Sequence, residues 1–359
     1  MKIPLAKPLV TGEMIDAAIH ALQNEFLVMG ESVYKFEEEF ARYIGTKHAA
    51  SVNSGTFALA SSLIASGIEK GDKILTTPMS FIATANSVIH AGGIPVFSDI
   101  ENDTGNMDTN LIENKSKGAR GIIPVHLYGT PVDMDKIMEL KEIKEEGLFV
   151  IEDACQAHGA MYKGKRAGGI GDVGCFSFYS VKNMTVGGDG GMVTTNNEEI
   201  AEKIRILRDC GRISKYEHSM IGYTARLNTV NAAVGRVQLK HLDDWNEKRR
   251  YAARIYQKSL PRDLLLSENE NSVYHIFAMR SRRRDEIIQH LTEKGIVTGI
   301  HYPIPIHLQP IYKKLFGYKE GIYPVSEQFS REVVSLPIFP EITKDEVKFV
   351  CEQVLEVTE

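Results

Sequence analysis

The stretch CFSFYSVKNMTVGGDGGMVTT, residues 175–195, is the part of the sequence around which the chain is organised. A β-prone apolar run leads to Lys182, a cluster of four glycines lies within residues 187–191, and a second apolar run closes the unit. This pattern predicts a strand, a loop and a second strand, with Lys182 at the mouth of the loop. The glycines permit positive φ angles or a close approach of the backbone to a ligand.

A carboxylate upstream gives Lys182 a chemical context. The run FVIED, residues 149–153, reads as an apolar strand that ends in Glu152 and Asp153. Ligands of open α/β sheets bind beyond the carboxyl ends of the strands. Pyridoxal phosphate requires a lysine to form a Schiff base and a carboxylate to keep its pyridine nitrogen protonated. On residues 175–195 alone, Lys182 can equally be a solvated loop residue; Asp153 is what favours a cofactor site.

Two longer motifs resemble a known family. EDACQAHGA at residues 152–160 and FSFYSVKNMTVGGDGG at residues 176–191 are similar to the DegT/DnrJ/EryC1/StrS aminotransferases. VYKFEEEFARYIG, residues 33–45, extends the resemblance towards the N-terminus. The resemblance implies a pyridoxal 5'-phosphate enzyme of fold type I, similar to aspartate aminotransferase. It also implies amination of a keto sugar, usually nucleotide-linked.

Length and composition bound the alternatives. A chain of 359 residues predicts two domains, placed at residues 1–245 (large, α/β, cofactor-binding) and 246–359 (small, α+β). The net charge of −5 argues against nucleic-acid binding, and the basic run RSRRRD at residues 280–285 is interpreted as a solvated face. Four scattered cysteines imply neither a metal site nor disulfides and fit a cytoplasmic setting. The N-terminus lacks a secretory signal, and no apolar run approaches the roughly 20 residues that span a membrane.

Alternating patterns predict a mostly parallel sheet covered by helices on both faces, after an extended arm at residues 1–11. Besides the strands around residues 175–195, the predicted strands are 49–52, 73–77, 94–97, 121–125, 149–153, 274–279 and 297–300. The predicted helices are 12–23 (capped by Thr11), 33–43, 56–65, 81–91, 107–112, 134–144, 198–209, 230–245, 285–294, 326–333 and 344–355.

The turn between the first strand and the third helix is a candidate anion site. A glycine at a helix start leaves backbone N–H groups free for an anion, although Ser54 can also be an ordinary helix cap. The resemblance assigns four residues to the cofactor phosphate: Ser54, Gly55, Thr56 and Ser177. It places the Phe81 ring against the cofactor ring and Gln156 at the cofactor's phenolic oxygen. From the residues alone, Phe81 reads as a core residue.

The resemblance also implies a homodimer with shared sites. In GYTARLN, residues 222–228, the family usually has asparagine where this chain has Thr224. That asparagine reaches the phosphate in the neighbouring subunit, and a threonine hydroxyl is shorter, with a single donor. The departure puts this contact in doubt while leaving the dimer expected.

HYPIPIHLQP, residues 301–310, matches the family's substrate loop. Its polar candidates are His301, Tyr302 and His307, although each histidine alone reads as structural. The expected reaction transfers an amino group from an amino acid, glutamate by resemblance, to a keto sugar, with Lys182 as general base and acid. The alternatives are a non-catalytic regulator on the same fold and a sugar dehydratase. An intact pair of Lys182 and Asp153 disfavours the regulator, and Lys182 disfavours the dehydratase, in which histidine replaces this lysine.

Overall fold

A seven-stranded sheet is the centre of the structure and carries Asp153 and Ser177 at its strand ends. The computed structural model describes residues 2–143 and 147–358. The strand order is β1-β9-β8-β5-β4-β2-β3. The strands of this sheet are β1 His48–Val52, β2 Lys73–Thr76, β3 Ile94–Phe97, β4 Ala119–Ile122, β5 Phe149–Asp153, β8 Val173–Ser177 and β9 Gly191–Thr195. Two small antiparallel sheets pair β6 Met161–Tyr162 with β7 Lys165–Arg166, and β10 Phe277–Arg280 with β11 Val333–Leu336.

Twelve helices surround the strands within the described residues. They are α1 Gly12–Asn24, α2 Glu31–Ile44, α3 Gly55–Ala65, α4 Ala83–His90, α5 Ile112–Lys115, α6 Met134–Ile143, α7 Glu198–Arg208, α8 Thr229–Ser259, α9 Arg284–Glu293, α10 Pro310–Phe316, α11 Pro324–Glu332 and α12 Lys344–Thr358. Thr11 caps α1 as predicted, with its hydroxyl accepting from the Met14 N–H.

The sheet is mostly parallel, which confirms the predicted fold class. Only β9 runs antiparallel to its neighbours, β1 and β8. Because β1 and β8 both run antiparallel to β9, β1 runs parallel to β8 and to β5 beyond it. The carboxyl ends of β1, β5 and β8 therefore lie at one edge of the sheet, where ligands of open α/β sheets bind.

Helix α8 contributes to two of the large apolar cores of the molecule. Its first half places Ala232 and Leu242 in the core beneath β8 and α2. Its second half places Ala252 and Tyr256 in a second core with β10, β11, α9 and α12. The predicted domain boundary at residue 245 falls inside this 31-residue helix. The division into two domains stays a prediction.

Two short predicted elements differ from the structure. The predicted helix at residues 107–112 is wrong for all but its last residue, where α5 begins: Met107 forms a bridge with Ile100, and the Asp108 carboxylate accepts from the Asn110 N–H at 2.9 Å. Such side-chain bonds compete with helix formation. Residues 297–300 form no strand, because only Gly299 pairs with Ser335. The predicted helix end at Lys144 lies outside the described residues.

Among residues 2–143 and 147–358, none of the helices combines the length and apolar character needed to span a bilayer. Across the same ranges, no group of three or more His, Cys, Asp or Glu side chains has the arrangement of a metal site.

Candidate active site

Lys182 lies in the loop between β8 and β9, at the carboxyl edge of the sheet. The Lys182 N–H donates to the Tyr179 carbonyl at 2.8 Å, and the hydroxyl of Thr185 donates to the Phe178 carbonyl at 3.2 Å. The neighbouring side chain of Asn183 ties the loop to the rest of the molecule: its Nδ2 donates to Asn246 Oδ1 and to the Val273 carbonyl, both at 2.9 Å. These bonds fix the backbone on either side of Lys182.

The electrostatics of Lys182 favour a reactive amine. Burial lowers the pKa of Lys182 below its usual value of 10.5, while Cys155 and Asp153 act in the opposite direction. A larger fraction of neutral amine at a given pH makes the lysine a better nucleophile and proton acceptor.

Asp153 ends β5, the strand next to β8, and its side chain is 4% exposed. Its Oδ2 accepts from the Thr84 hydroxyl at 2.7 Å, and its Oδ1 accepts from the Cys155 N–H at 3.2 Å. No described Lys, Arg or His forms an ion pair with this carboxylate. A buried carboxylate without a cationic partner is suited to a positively charged ligand group.

The start of α3 lies against the end of β8. The Ser54 hydroxyl accepts from the Phe57 N–H at 3.2 Å, and helix geometry gives the N–H groups of Gly55 and Thr56 no intrahelical acceptor. A Cβ on Gly55 would lie 2.6 Å from the Cβ of Ser177. Only glycine permits this approach, so the structure brings together all four residues predicted to hold a phosphate.

Gln156 and Phe81 converge on Tyr302. Gln156 Nε2 donates to the Tyr302 hydroxyl at 3.2 Å, and the ring centroids of Phe81 and Tyr302 lie 6.2 Å apart. Phe81 is 57% exposed, which is unusual for an aromatic side chain in the core and fits a ligand contact. Burial, with a contribution from the charge of Asp153, raises the pKa of Tyr302, so its hydroxyl keeps its proton.

The two histidines of the loop at residues 301–310 have different surroundings. His301 is half-buried and pairs through Nδ1 with the Ser335 hydroxyl at 2.8 Å; burial and the charge of Lys182 lower its pKa to about 4. His307 is fully buried, with its Nε2 3.0 Å from Glu327 Oε1 and its ring 4.8 Å from that of Tyr323. This placement favours a structural role for His307, and its contact with substrate stays a prediction.

Thr224 lies on the surface, beside the turn at residues 53–55 that is the candidate phosphate site of its own chain. Its Oγ1 is 3.3 Å from Cys210 Sγ, and the next residue, Ala225, accepts from the Asn53 N–H at 2.9 Å. The predicted contact of Thr224 with a neighbouring subunit remains a prediction.

Sequence reasoning missed the groups that support the site residues. The hydroxyl of Thr84 orients Asp153. Thr84 precedes Ala85 in α4, the helix that follows Phe81 in the chain. The only sequence signal for Thr84 is that a hydroxyl side chain follows a strand end, where ligands bind.

Glu152 is held by a ring of donors. Its carboxylate accepts from the N–H groups of Gly168, Ile170 and Gly171 at 2.7–2.8 Å and lies 2.9 Å from His126 Nε2. The segment GGIGDVG, residues 168–174, has the GxGxxG spacing of a dinucleotide site, but a strand follows it where that site needs a helix. Its backbone instead binds a carboxylate of the same chain.

This fold and the pair of Lys182 and Asp153 define a pyridoxal-phosphate-dependent aminotransferase, and solved neighbours include PLP and PMP forms. A sequence model of the DegT/DnrJ/EryC1/StrS aminotransferase family matches residues 8–355, and the chain belongs to that family.

Three comparisons describe the relatives. The dTDP-3-amino-3,4,6-trideoxy-alpha-D-glucose transaminase of Streptomyces venezuelae is 40% identical, covering 96% of this chain and 92% of its own. The pleiotropic regulatory protein of Geobacillus stearothermophilus is also 40% identical, covering 96% and 94%. The structure of S. venezuelae DesV in complex with a ketimine intermediate has a TM-score of 0.93 and 40% identity, covering 97% of this chain and 94% of that one.

The residues at the sheet edge fit pyridoxal 5'-phosphate. The unpaired buried carboxylate of Asp153 suits a protonated pyridine nitrogen, and the start of α3 beside Ser177 suits a phosphate. The buried amine of Lys182, which interacts electrostatically with Asp153, suits the aldehyde of this cofactor.

Proposed function

We propose that the protein transfers an amino group from glutamate to a keto sugar that carries a nucleotide. The observation that carries the proposal is the placement of Asp153 at the end of β5 and of Lys182 in the loop after the neighbouring strand β8, with a helix start suited to phosphate against the end of β8. The nucleotide-linked substrate is supported by relatives whose names contain dTDP-sugars and a UDP-sugar.

Bound pyridoxal phosphate supplies an electron sink for the negative charge that develops when an amino acid loses its Cα proton. Lys182 accepts that proton on Nζ and returns it on the other side of the transferred nitrogen, which its lowered pKa favours. The Asp153 carboxylate, oriented by the Thr84 hydroxyl, would hold the pyridine nitrogen of the cofactor and stabilise its protonated form. Gln156, whose Nε2 donates to the Tyr302 hydroxyl, would supply an amide donor to the phenolic oxygen of the bound cofactor.

The acceptor sugar is assigned to the face formed by His301 and Tyr302. Tyr302 presents a protonated hydroxyl, and the lowered pKa of His301 keeps its ring neutral at physiological pH. Neutral donors and acceptors are the groups that recognise sugar hydroxyls without attracting counter-ions.

A second copy of the chain is proposed to cover the mouth of the site. Large apolar side chains are exposed on the surface: Phe26 is 85%, Tyr216 80% and Ile221 92% exposed. A bridge of Val28 with Asn228 places the first of these near the start of α8. Exposed apolar groups of this size mark interaction surfaces. A homodimer would cover them and place Thr224 near the partner's site.

A regulatory role without catalysis is the competing hypothesis, because two relatives are named as a pleiotropic regulatory protein and a sensory transduction protein. Binding alone requires neither the reactive amine of Lys182 nor the buried charge of Asp153, which is why catalysis is favoured.

The experiment incubates the protein with pyridoxal phosphate, glutamate and a panel of nucleotide-linked keto sugars, followed by mass spectrometry of the sugar products. An amino sugar formed by the wild type and not by Lys182→Ala supports the proposal. Glutamine in place of glutamate tests the donor. A bound cofactor whose absorbance responds to neither donor, with no amino sugar from any acceptor, would favour the regulator.

A further inference from the structure

Tyr128 closes a ring of hydrogen bonds that joins the two sides of the site. The Tyr128 N–H donates to Gln156 Oε1 at 2.8 Å, and Gln156 Nε2 donates to the Tyr302 hydroxyl at 3.2 Å. Tyr302 follows His301 in the chain, and the His301 carbonyl accepts from the Tyr128 hydroxyl. Tyr128 thus binds the amide of Gln156, which is predicted to contact the cofactor, through its backbone N–H. Its hydroxyl binds the loop at residues 301–310, which is predicted to contact the substrate.

The backbone of Tyr128 has an unusual conformation that makes both contacts possible. Its φ and ψ are 59° and 8°, in the left-handed region that side chains other than glycine rarely adopt. Its carbonyl accepts from the Ile276 N–H at 3.4 Å, so all three polar groups of the residue are bonded. A non-glycine residue persists in this region only where its surroundings fix it, and such residues concentrate at functional sites.

The bond from the Tyr128 N–H also selects the orientation of the Gln156 amide. With Oε1 accepting from the backbone, Nε2 must be the atom that faces Tyr302. The Tyr128 ring is 3% exposed, and no part of it needs to touch a ligand for this effect. Its action on the site therefore passes through Gln156 and His301.

We propose that Tyr128 is a positioning residue that sets the spacing between the cofactor-side Gln156 and the substrate-side His301 and Tyr302. The inference rests on the proposed function in one respect, the assignment of His301 and Tyr302 to the acceptor sugar. Loss of the hydroxyl alone should release the loop at residues 301–310 and leave the backbone bond to Gln156 in place.

The test is Tyr128→Phe, with Tyr256→Phe as the matched control. Tyr256 is also a buried tyrosine whose hydroxyl donates to a backbone carbonyl, that of Pro337, at 2.9 Å in the second core. Tyr128→Phe should raise the KM for the keto sugar about tenfold, as expected for one lost buried hydrogen bond. The half-reaction with glutamate and the affinity for pyridoxal phosphate should change less than about twofold by the same reasoning. Tyr256→Phe should change none of these three quantities.

Hydrogen exchange provides a readout that needs no substrate. Amides of residues 301–309, including that of Ile306, which donates to the Pro78 carbonyl at 2.8 Å, should exchange faster in Tyr128→Phe and not in Tyr256→Phe. Unchanged exchange in this segment overturns the inference even if the wild type aminates sugars. If the wild type aminates none of the sugars but exchange rises as expected, the proposed function fails and the positioning role stands. Equal losses in both half-reactions would identify a general packing residue and overturn the inference.

Discussion

The Thr84 hydroxyl lies 2.7 Å from Asp153 Oδ2, and the Thr84 oxygen is itself 2.9 Å from the Ser80 hydroxyl. All three side chains are buried, so this chain of hydroxyls holds one carboxylate oxygen of Asp153 in a fixed direction. The orientation of the Asp153 carboxylate is thereby set by a residue that is 69 positions away in the sequence.

Removing the charge of Asp153 should separate binding from turnover. Asp153→Ala should retain pyridoxal phosphate but lose about a hundredfold or more in turnover, because the electron sink is no longer kept protonated. Thr84→Val, which keeps the shape of the side chain and removes its hydroxyl, should lower turnover about tenfold. Steady-state rates with glutamate, alongside cofactor absorbance, check both variants. Near-normal turnover in Asp153→Ala would refute the role of the carboxylate.

Lys182 should be the lysine that bonds to the cofactor. Borohydride reduction of the holoenzyme followed by peptide mapping should place the pyridoxyl group on Lys182, and the Lys182→Ala chain should carry none. Because burial lowers its pKa below 10.5, the association rate of the apoenzyme with pyridoxal phosphate should reach its plateau at a lower pH than for an exposed lysine. A label on any other lysine contradicts the assignment.

The buried carboxylate of Glu152 should make stability depend on pH. Burial favours its protonated form, but the donors His126, Gly171 and Gly168 outweigh burial and hold its pKa below the usual 4.5. Its contribution is therefore fully present above about pH 4.5 and is lost as the pH falls through the lower folded-state pKa.

Glu152→Gln should therefore lower the free energy of unfolding by about 3 kcal/mol at pH 7, because an amide N–H₂ would face backbone donors. The difference from wild type, measured by denaturant unfolding, should shrink below about pH 4.5. The exposed Glu38→Gln should change stability by less than about 0.5 kcal/mol. A Glu152→Gln effect that grows on acidification is the opposite of the expected sign.

Thr224 tests whether sites are shared between subunits. If Thr224 serves the partner's phosphate, Thr224→Ala should lose about 1.5–3 kcal/mol, a ten- to hundredfold weakening of cofactor binding. Thr224→Asn should keep or tighten it. In a mixed dimer of Lys182→Ala and Thr224→Ala chains, one site receives both defects and the other receives neither, so activity should partly return. Fully active monomers in sedimentation, or no recovery despite a clear Thr224→Ala defect, would assign the residue to its own subunit.

The sheet could be predicted from the sequence because its strands are apolar runs bounded by turn residues. The run at residues 149–153 was predicted with its observed bounds, as was β3. Short segments failed where distant partners decide their structure. Residues 107–112 have a helix-like apolar spacing, but the Asp108 N–H donates to the Asp99 carbonyl, a contact that no local pattern contains.

The site was predictable where one motif carries both the residue and its chemistry. Gly55 and Ser177 meet because Gly55 follows β1, Ser177 ends β8, and these two strands end at the same edge of the sheet. The roles of Thr84 and Tyr128 were not predicted, because their hydrogen-bond partners lie in segments that are distant in the sequence. The strand order that brings these segments together cannot be inferred from periodicity. The sequence also cannot show that His307 is enclosed by the aromatic ring of Tyr323 and by the carboxylate of Glu327.

The continuity of α8 constrains how hybrids with related enzymes can be made. A junction at residue 245 would divide a helix whose Asn246 holds the lysine loop and whose Arg249 donates to the Tyr274 and Ile338 carbonyls. A chimaera that exchanges C-terminal segments should therefore be joined after Ser259, where the helix ends. The parent that supplies Lys182 then also supplies the whole of α8, while the other parent contributes the loop with His301 and Tyr302.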